Sequence, residues 1–246
     1  MVEGTTKPQL VALLKSGADE QRAFIVSLSA AQRVQIGTSE KWSAKDTLAH
    51  NVYFQARTIR NHQLLQRGET PPALPDITAD EQSVNIFLAH RDQPWPEVIA
   101  AAEAAFAGLI ILLDGYSEAD LMTPNQLMKP NTPLWNTPLW REFLSNGYTH
   151  PLMHYADFYL EHGDLTHATD LQKRLAKENA SFGDDELHGD ADYNLACFYA
   201  KTGQIESALA LLSGALKLAP RLVEWSKEDP DLVSLHAELG YQALYG

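Results

Sequence analysis

The residues in this chain best suited to chemistry are histidines. His150 and His154 are four apart in a stretch with helical patterning, so both rings project from one face, one turn apart. Two imidazoles in that arrangement can reach one metal ion, as they do in zinc-binding helices. The spacing alone says little. Nine histidines in 246 residues produce an H-x-x-x-H pair by chance in roughly one such chain in three. His50 adds weight: it lies early in another patterned helix, and Tyr53 and Phe54, three and four residues on, share its face. Two aromatics on that face predict an inward-pointing ring, and a buried histidine on each of two helices needs a partner. That partner is either a shared metal ion or other polar groups of the core, and the pattern leaves both open. His62, His90, His162, His167, His188 and His236 fall near helix ends or in polar surroundings, which predicts surface roles. No glycine-rich phosphate loop, serine nucleophile elbow or CxxC pair is present.

The elements that must position these residues are helices, because helical periodicity dominates and alternating strands are missing. A first helix starts near Pro8, with Leu10, Leu13, Leu14, Ala18, Phe24, Ile25 and Leu28 as its apolar stripe. Ser29 to Gln32 is a capping box. The second long helix is capped by Ser43, carries Asp46 at its positive end and stops at Gly68. Its expected interior is Leu48, Ala49, Val52, Tyr53, Ala56, Ile59 and Leu64. Thr70 to Asp76 is a stiff proline loop. A third helical region is capped at Thr78, breaks at Pro94-Trp-Pro96 and resumes from Glu97 to Leu113; Ser117 opens a short turn. Thr123 to Pro138 reads as a long loop in which Asn131-Thr-Pro-Leu-Trp135 recurs at once as Asn136-Thr-Pro-Leu-Trp140. Such a loop is either functional or a duplication that packs two tryptophans over the core. A fourth helix is expected from about Thr149 to Glu161, and four helices so connected predict a bundle.

Beyond Gly163 the pattern changes. Asp164 to Asn179 forms one amphipathic helix, and Asp190 to Lys201 and Ile205 to Leu218 form a hairpin turning at Thr202-Gly203-Gln204. Leu222 to Ser226 and Asp231 to Leu239 are again helical in pattern. The run from Tyr193 to Gly203, followed by Ala208, Leu212, Ala215 and Pro220, looks like one tetratricopeptide repeat. Small alanines allow close helix approach, glycine makes the turn and proline stops the second helix. A repeat array needs about three units to stand alone. This module is therefore either a surface for a protein partner or a structural cap or homodimer element.

The formal net charge of -13, with basic residues scattered, argues against nucleic-acid partners. The longest apolar run, Ala104 to Leu113, is too short for a membrane span. Met1 to Pro8 lacks the basic-then-apolar pattern of a secretory signal. The only cysteine, Cys197, sits in apolar sequence and reads as core packing. Together these predict a cytoplasmic protein.

Lys41-Trp-Ser-Ala-Lys-Asp-Thr-Leu-Ala-His50, with His150-Pro-Leu-Met-His154 far downstream, resembles the DinB-like superfamily, and within it the ClbS/DfsB-type branch. The resemblance covers residues 8–165 in helix order and loop placement. It implies an all-α protein: an up-down four-helix bundle over 1–165, followed by the short tetratricopeptide-like helical hairpin module over 166–246. It also implies a metal site of His50, His150 and His154 holding a divalent ion, either zinc, nickel or iron. Where that branch usually carries a second tryptophan after the first histidine, this chain has Tyr53 and Phe54, so its substrate pocket is expected to differ. Three neutral imidazoles leave coordination positions open to water or substrate. The superfamily includes thiol-dependent transferases, and the branch includes proteins that disarm electrophilic toxins. The resemblance therefore implies a metal-dependent hydrolase or thiol transferase acting on an electrophilic small molecule. The alternative is a non-catalytic scaffold whose C-terminal unit recruits a protein.

Overall fold

A computed structural model describes residues 6–130, 132 and 134–245. Met1 to Thr5, most of the stretch read for a secretory signal, lie outside the described residues, as do Asn131 and Pro133 of the first Asn-Thr-Pro-Leu-Trp copy. Among the described residues the chain is all helical, with one isolated bridge between Pro124 and Pro138. In order the helices are α1 (Thr6–Ser27), α2 (Ala30–Val34), α3 (Ala44–Gln66), α4 (Ala79–His90), α5 (Trp95–Asp114) and α6 (Glu118–Leu121). Then come α7 (Trp140–Leu144), α8 (His150–Glu161), α9 (Leu165–Ala180), α10 (Asp185–Lys201), α11 (Ile205–Leu218), α12 (Val223–Ser226) and α13 (Leu239–Gln242). Local sequence sets several of the starts. Ser29, Ser43, Thr78 and Ser117 each form a complete capping box, satisfying free N–H groups at the ends of α2, α3, α4 and α6.

The chain divides into two compact units, one ending at Phe158 and the other beginning at Tyr159. The division falls inside α8, which continues to Glu161 before the turn at Gly163; the expected boundary was 165/166.

In the N-terminal unit α5 packs against both α3 and α1, and α4 packs on α3. α5 is long and apolar enough, by length and composition, to cross a membrane. Here Val98, Ala102, Ala105, Phe106, Leu109, Leu112 and Leu113 are buried at helical spacing. Two expectations need correction. The interior of α3 is largely polar: His50, Asn51, Gln55, Thr58, Asn61 and His62 are buried, whereas Ala56 is exposed and Val52, Tyr53, Ile59 and Leu64 are half-buried. An apolar stripe marks the inward face only where the neighbouring surface is apolar, and α3 turns instead toward polar groups after residue 140.

The second correction extends the fourth helix: α8 begins at His150, as expected, but helical turns precede it without a break. α7 runs into a π-turn, Ser145–Thr149, which leads directly into α8. The glycine within this turn serves contact. Gly17 and Gly147 let α1 and the π-turn touch: a Cβ on Gly17 would lie 2.7 Å from the Gly147 carbonyl oxygen and 3.1 Å from the Phe106 ring. The preceding loop closes on itself through Asn125 N–H to Thr137 O (2.7 Å), Asn136 N–H to Asn125 O (2.9 Å) and Leu139 N–H to Thr123 O (2.9 Å). Trp140, from the second repeat copy, is buried, and Trp135 is half-buried.

In the C-terminal unit α10 packs between α9 and α11. Ala196, Ala208 and Ala215 are fully buried. Gly203, at φ 77°, makes the turn, and Gln204 N–H closes it on Tyr199 O at 2.8 Å. The segments expected as helices after Pro220 are shorter: 3-10 turns at Pro220–Leu222 and Pro230–Leu235 alternate with α12 and α13. Cys197 is buried beside Asp229, and burial pushes its thiol well up from the ordinary range. Asp229 is itself engaged, accepting from Tyr193 Oη (2.7 Å) and Asp231 N–H (2.9 Å), while Asp231 pairs with Lys201 (3.1 Å). This Cys197–Asp229–Asp231 cluster therefore serves packing and capping.

The contact at Gly17 predicts that Gly17→Ala costs about 1–3 kcal/mol, since a backbone oxygen cannot swing aside as a side chain does. Gly214→Ala, in α11 with open space around it, should instead stabilise by up to about 1 kcal/mol. Urea unfolding of the two variants checks the opposite signs.

Candidate metal centre

Two elements bring the three histidines together. The Ser43–Asp46 capping box fixes the start of α3, and His50 follows on its inward face, 4% exposed. The π-turn delivers His150 as the first residue of α8, and His154 follows one turn later, both half-buried. His150 Nε2 lies 3.2 Å from His50 Nε2 and 3.0 Å from His154 Nε2. One ligand nitrogen from each of the three rings falls within 4.8 Å of the others.

The walls around the rings are aromatic. The Trp42 ring lies 4.5 Å from His50 and 5.4 Å from His154, and Phe54 lies 4.9 Å from His50 and 4.8 Å from His150. Arg57 sits over the outer face of Phe54 at 4.7 Å. Burial, then the neighbouring charge of His154, holds the His50 imidazole down at about 3, and burial alone holds His154 at about 4. His150 is held well below the ordinary range by burial and then by the charges of His154, His50 and Arg57. All three rings are therefore neutral at neutral pH, the form in which imidazole is a ligand.

The donor set suits a single divalent ion. Imidazole nitrogens at ordinary zinc bond lengths in a tetrahedral site stand about 3.3 Å apart, close to the two separations here. A hydrogen-bonded explanation serves less well. Each close pair can share only one proton, and the Nδ1 atoms of His50 and His150 are buried with no protein partner among the described residues. One feature departs from common metal sites. Ligand rings usually donate their second N–H to a carboxylate or carbonyl, whereas here Trp42 and Phe54 supply the packing.

Of the sequence candidates, His50, His150 and His154 come together and Phe54 lines their pocket. Tyr53 packs on Phe54 rather than on a histidine. The surface expectation holds for His162, His167 and His236, which are exposed. It is wrong for His62, which is fully buried between the Glu142 carboxylate and the Tyr116 hydroxyl. Trp42 as a wall and Glu142 as a buried carboxylate were not anticipated as site groups. Four-residue spacing could have found Glu142, because Glu142, Asn146, His150 and His154 form one series. Compared with known proteins, the chain matches no family model, no curated protein and no solved structure.

The depressed imidazoles make acid destabilising. The unfolded chain takes up protons at the ordinary value of 6.5, whereas folded His50 and His154 resist protonation down to about 3 and 4. Stability of the metal-free protein is therefore full above pH 6.5 and falls on acidification, by up to about 1.4 kcal/mol per pH unit for each histidine. Urea unfolding across this range should show that slope in the native chain and a shallower one in a His50→Ala/His150→Ala/His154→Ala variant.

Proposed function

We propose that the chain is a DinB-like metal protein in which His50, His150 and His154 hold one divalent ion, whether zinc, nickel or iron. The observation that carries this reading is the convergence of three Nε2 atoms, with His150 Nε2 3.2 Å from that of His50 and 3.0 Å from that of His154. An up-down four-helix bundle is the fold we assign to the N-terminal unit. Its long helical stretches, α1, α3, α5 and α7 through α8, supply that number. A divalent ion on three neutral imidazoles keeps open positions and supplies Lewis acidity to a water or thiol. The chain's own residues then have separable tasks. Trp42 and Phe54 keep the rings dry and hold their planes, and Arg57 adds a fixed positive charge beside them. An electron-rich nucleophile is favoured in such a place, which fits a hydrolase or thiol transferase acting on an electrophilic small molecule in the cytoplasm.

A second reading, a scaffold whose tetratricopeptide-like unit captures a protein, draws on different residues. Trp225, Val233 and Leu239 are exposed at 54%, 60% and 82% in the C-terminal unit, and large exposed apolar groups often mark contact surfaces.

Elemental analysis separates the two. Protein purified from cells supplied with zinc, nickel and iron should carry about one ion per chain. The triple His→Ala variant, still helical by circular dichroism, should carry less than about a tenth of that. Absence of all three metals from the native chain, and no uptake on adding them, would sink the metal reading and leave the scaffold.

A further inference from the structure

Away from the histidine cluster, a second set of buried polar groups surrounds Glu142. Its carboxylate is 1% exposed and accepts from Thr58 Oγ1 at 2.8 Å and from Asn125 Nδ2 at 2.9 Å. Asn146 Nδ2 donates to the Thr58 hydroxyl behind it at 2.8 Å. His62 Nε2 stands 3.4 Å from Glu142 Oε2, and on the far side of that ring Nδ1 is 2.6 Å from Tyr116 Oη.

The partners fix where the protons sit. A carboxylate only accepts, so His62 Nε2 carries its proton toward Glu142, and Nδ1 is left to accept from the Tyr116 hydroxyl. The order carboxylate, imidazole, hydroxyl is the one that enzymes use to draw a proton from an oxygen. Having given its proton to His62, Tyr116 Oη can only accept from a ligand. Gln66 uses one of its acceptor positions, and one remains. A ligand bound there must therefore bring an O–H or N–H of its own.

His62, Tyr116 and Asn125 line a cleft of about 610 Å³, within the range that encloses small organic molecules. Leu65, Pro72, Leu74, Leu127, Met128 and Leu139 make the rest of it largely apolar. We infer that this cleft is a second ligand site, for a small apolar molecule bearing an acidic hydroxyl, a phenol or enol, that hands its proton to the Tyr116–His62 relay. The ligand's proton goes to Tyr116 Oη as the phenol's own proton passes to His62 Nδ1. An oxyanion then sits in the cleft and an imidazolium rests against Glu142, so no proton or charge is lost. Tyr116 touches the ligand; His62 and Glu142 act through it as positioning residues.

The charged groups around the relay act on both its ends: Glu142 and Asp120 raise the Tyr116 phenol, which favours an imidazolium on His62 and opposes an anion at the phenol oxygen itself. Lys129 lies at the rim, 3.1 Å from Asp76, and Lys7 Nζ donates to the Tyr116 carbonyl at 2.7 Å. Arg57 faces Glu142 electrostatically from α3. Burial, then Glu142 and Asp120, holds the Tyr116 phenol above its usual range, so it is protonated until a ligand arrives.

The probe is 4-nitrophenol, whose anion absorbs visible light and whose neutral form does not. Full-length protein is titrated with it in the presence of EDTA, so that no metal ionises the probe. Binding should be saturable, and the bound probe should show its anion band at a pH where the free probe shows little. That corresponds to at least about a tenfold rise in its acid dissociation constant. Tyr116→Phe, which removes one oxygen from a half-buried ring, should bring the rise below about twofold with the helical spectrum unchanged, and His62→Gln should do the same. If His62→Gln does not fold, Tyr116→Phe alone decides. No saturable binding, a bound probe that stays neutral, or an anion band that survives in Tyr116→Phe would each overturn the inference.

Discussion

The antiparallel register between α3 and the helical stretch that begins at Trp140 is the constraint on which both polar sites depend. On α3, His50, Phe54, Thr58 and His62 follow one another at four-residue steps; opposite them Glu142, Asn146, His150 and His154 do the same. The contacts run in reverse order along the two series: His62 and Thr58 to Glu142, Thr58 to Asn146, Phe54 to His150, and His50 to His150. A four-residue step overshoots a 3.6-residue turn by about 40°, so three steps in a plain α-helix would carry His154 about 120° away from Glu142. The π-turn at Ser145–Thr149 widens one turn and reduces that drift. Both ends of the stretch can then face the same neighbour.

A face built this way is costly. Asn51 and Gln55 on α3 are buried with side-chain amides that have no protein partner among the described residues, and each such group costs about 1–3 kcal/mol. Leucine at these positions would make a more stable core. Buried polar groups gather along this interface, while α5 supplies an ordinary apolar contact on another side. The glycine contact between α1 and the π-turn belongs to the same economy of space, since it seats the irregular turn against a neighbour with no side chain between them.

Much of this was legible in the sequence because the signals are local. Capping boxes announced the starts of α3 and α4, and the three histidines could be picked out from spacing and resemblance. The inward face of α3 was not legible, because apolar periodicity cannot find a face whose buried residues are amides, hydroxyls and imidazoles. His62 was misplaced for that reason. Glu142 was hidden because the prolines before it read as a long loop and the fourth helix was expected only from about Thr149. What decides the burial of His62 is a partner far away in the chain, and one-dimensional patterning carries no record of it.

That distance also matters while the protein is being made. His50 and His150 are 100 residues apart, so α3 leaves the ribosome well before its polar counterpart exists. Its own cap lets it coil early. A greasy inward face would then stand exposed and invite misassembly, but the face α3 presents is wettable. The nascent chain can wait for its partner in water, and only the later arrival of residues 140–158 dries the histidines.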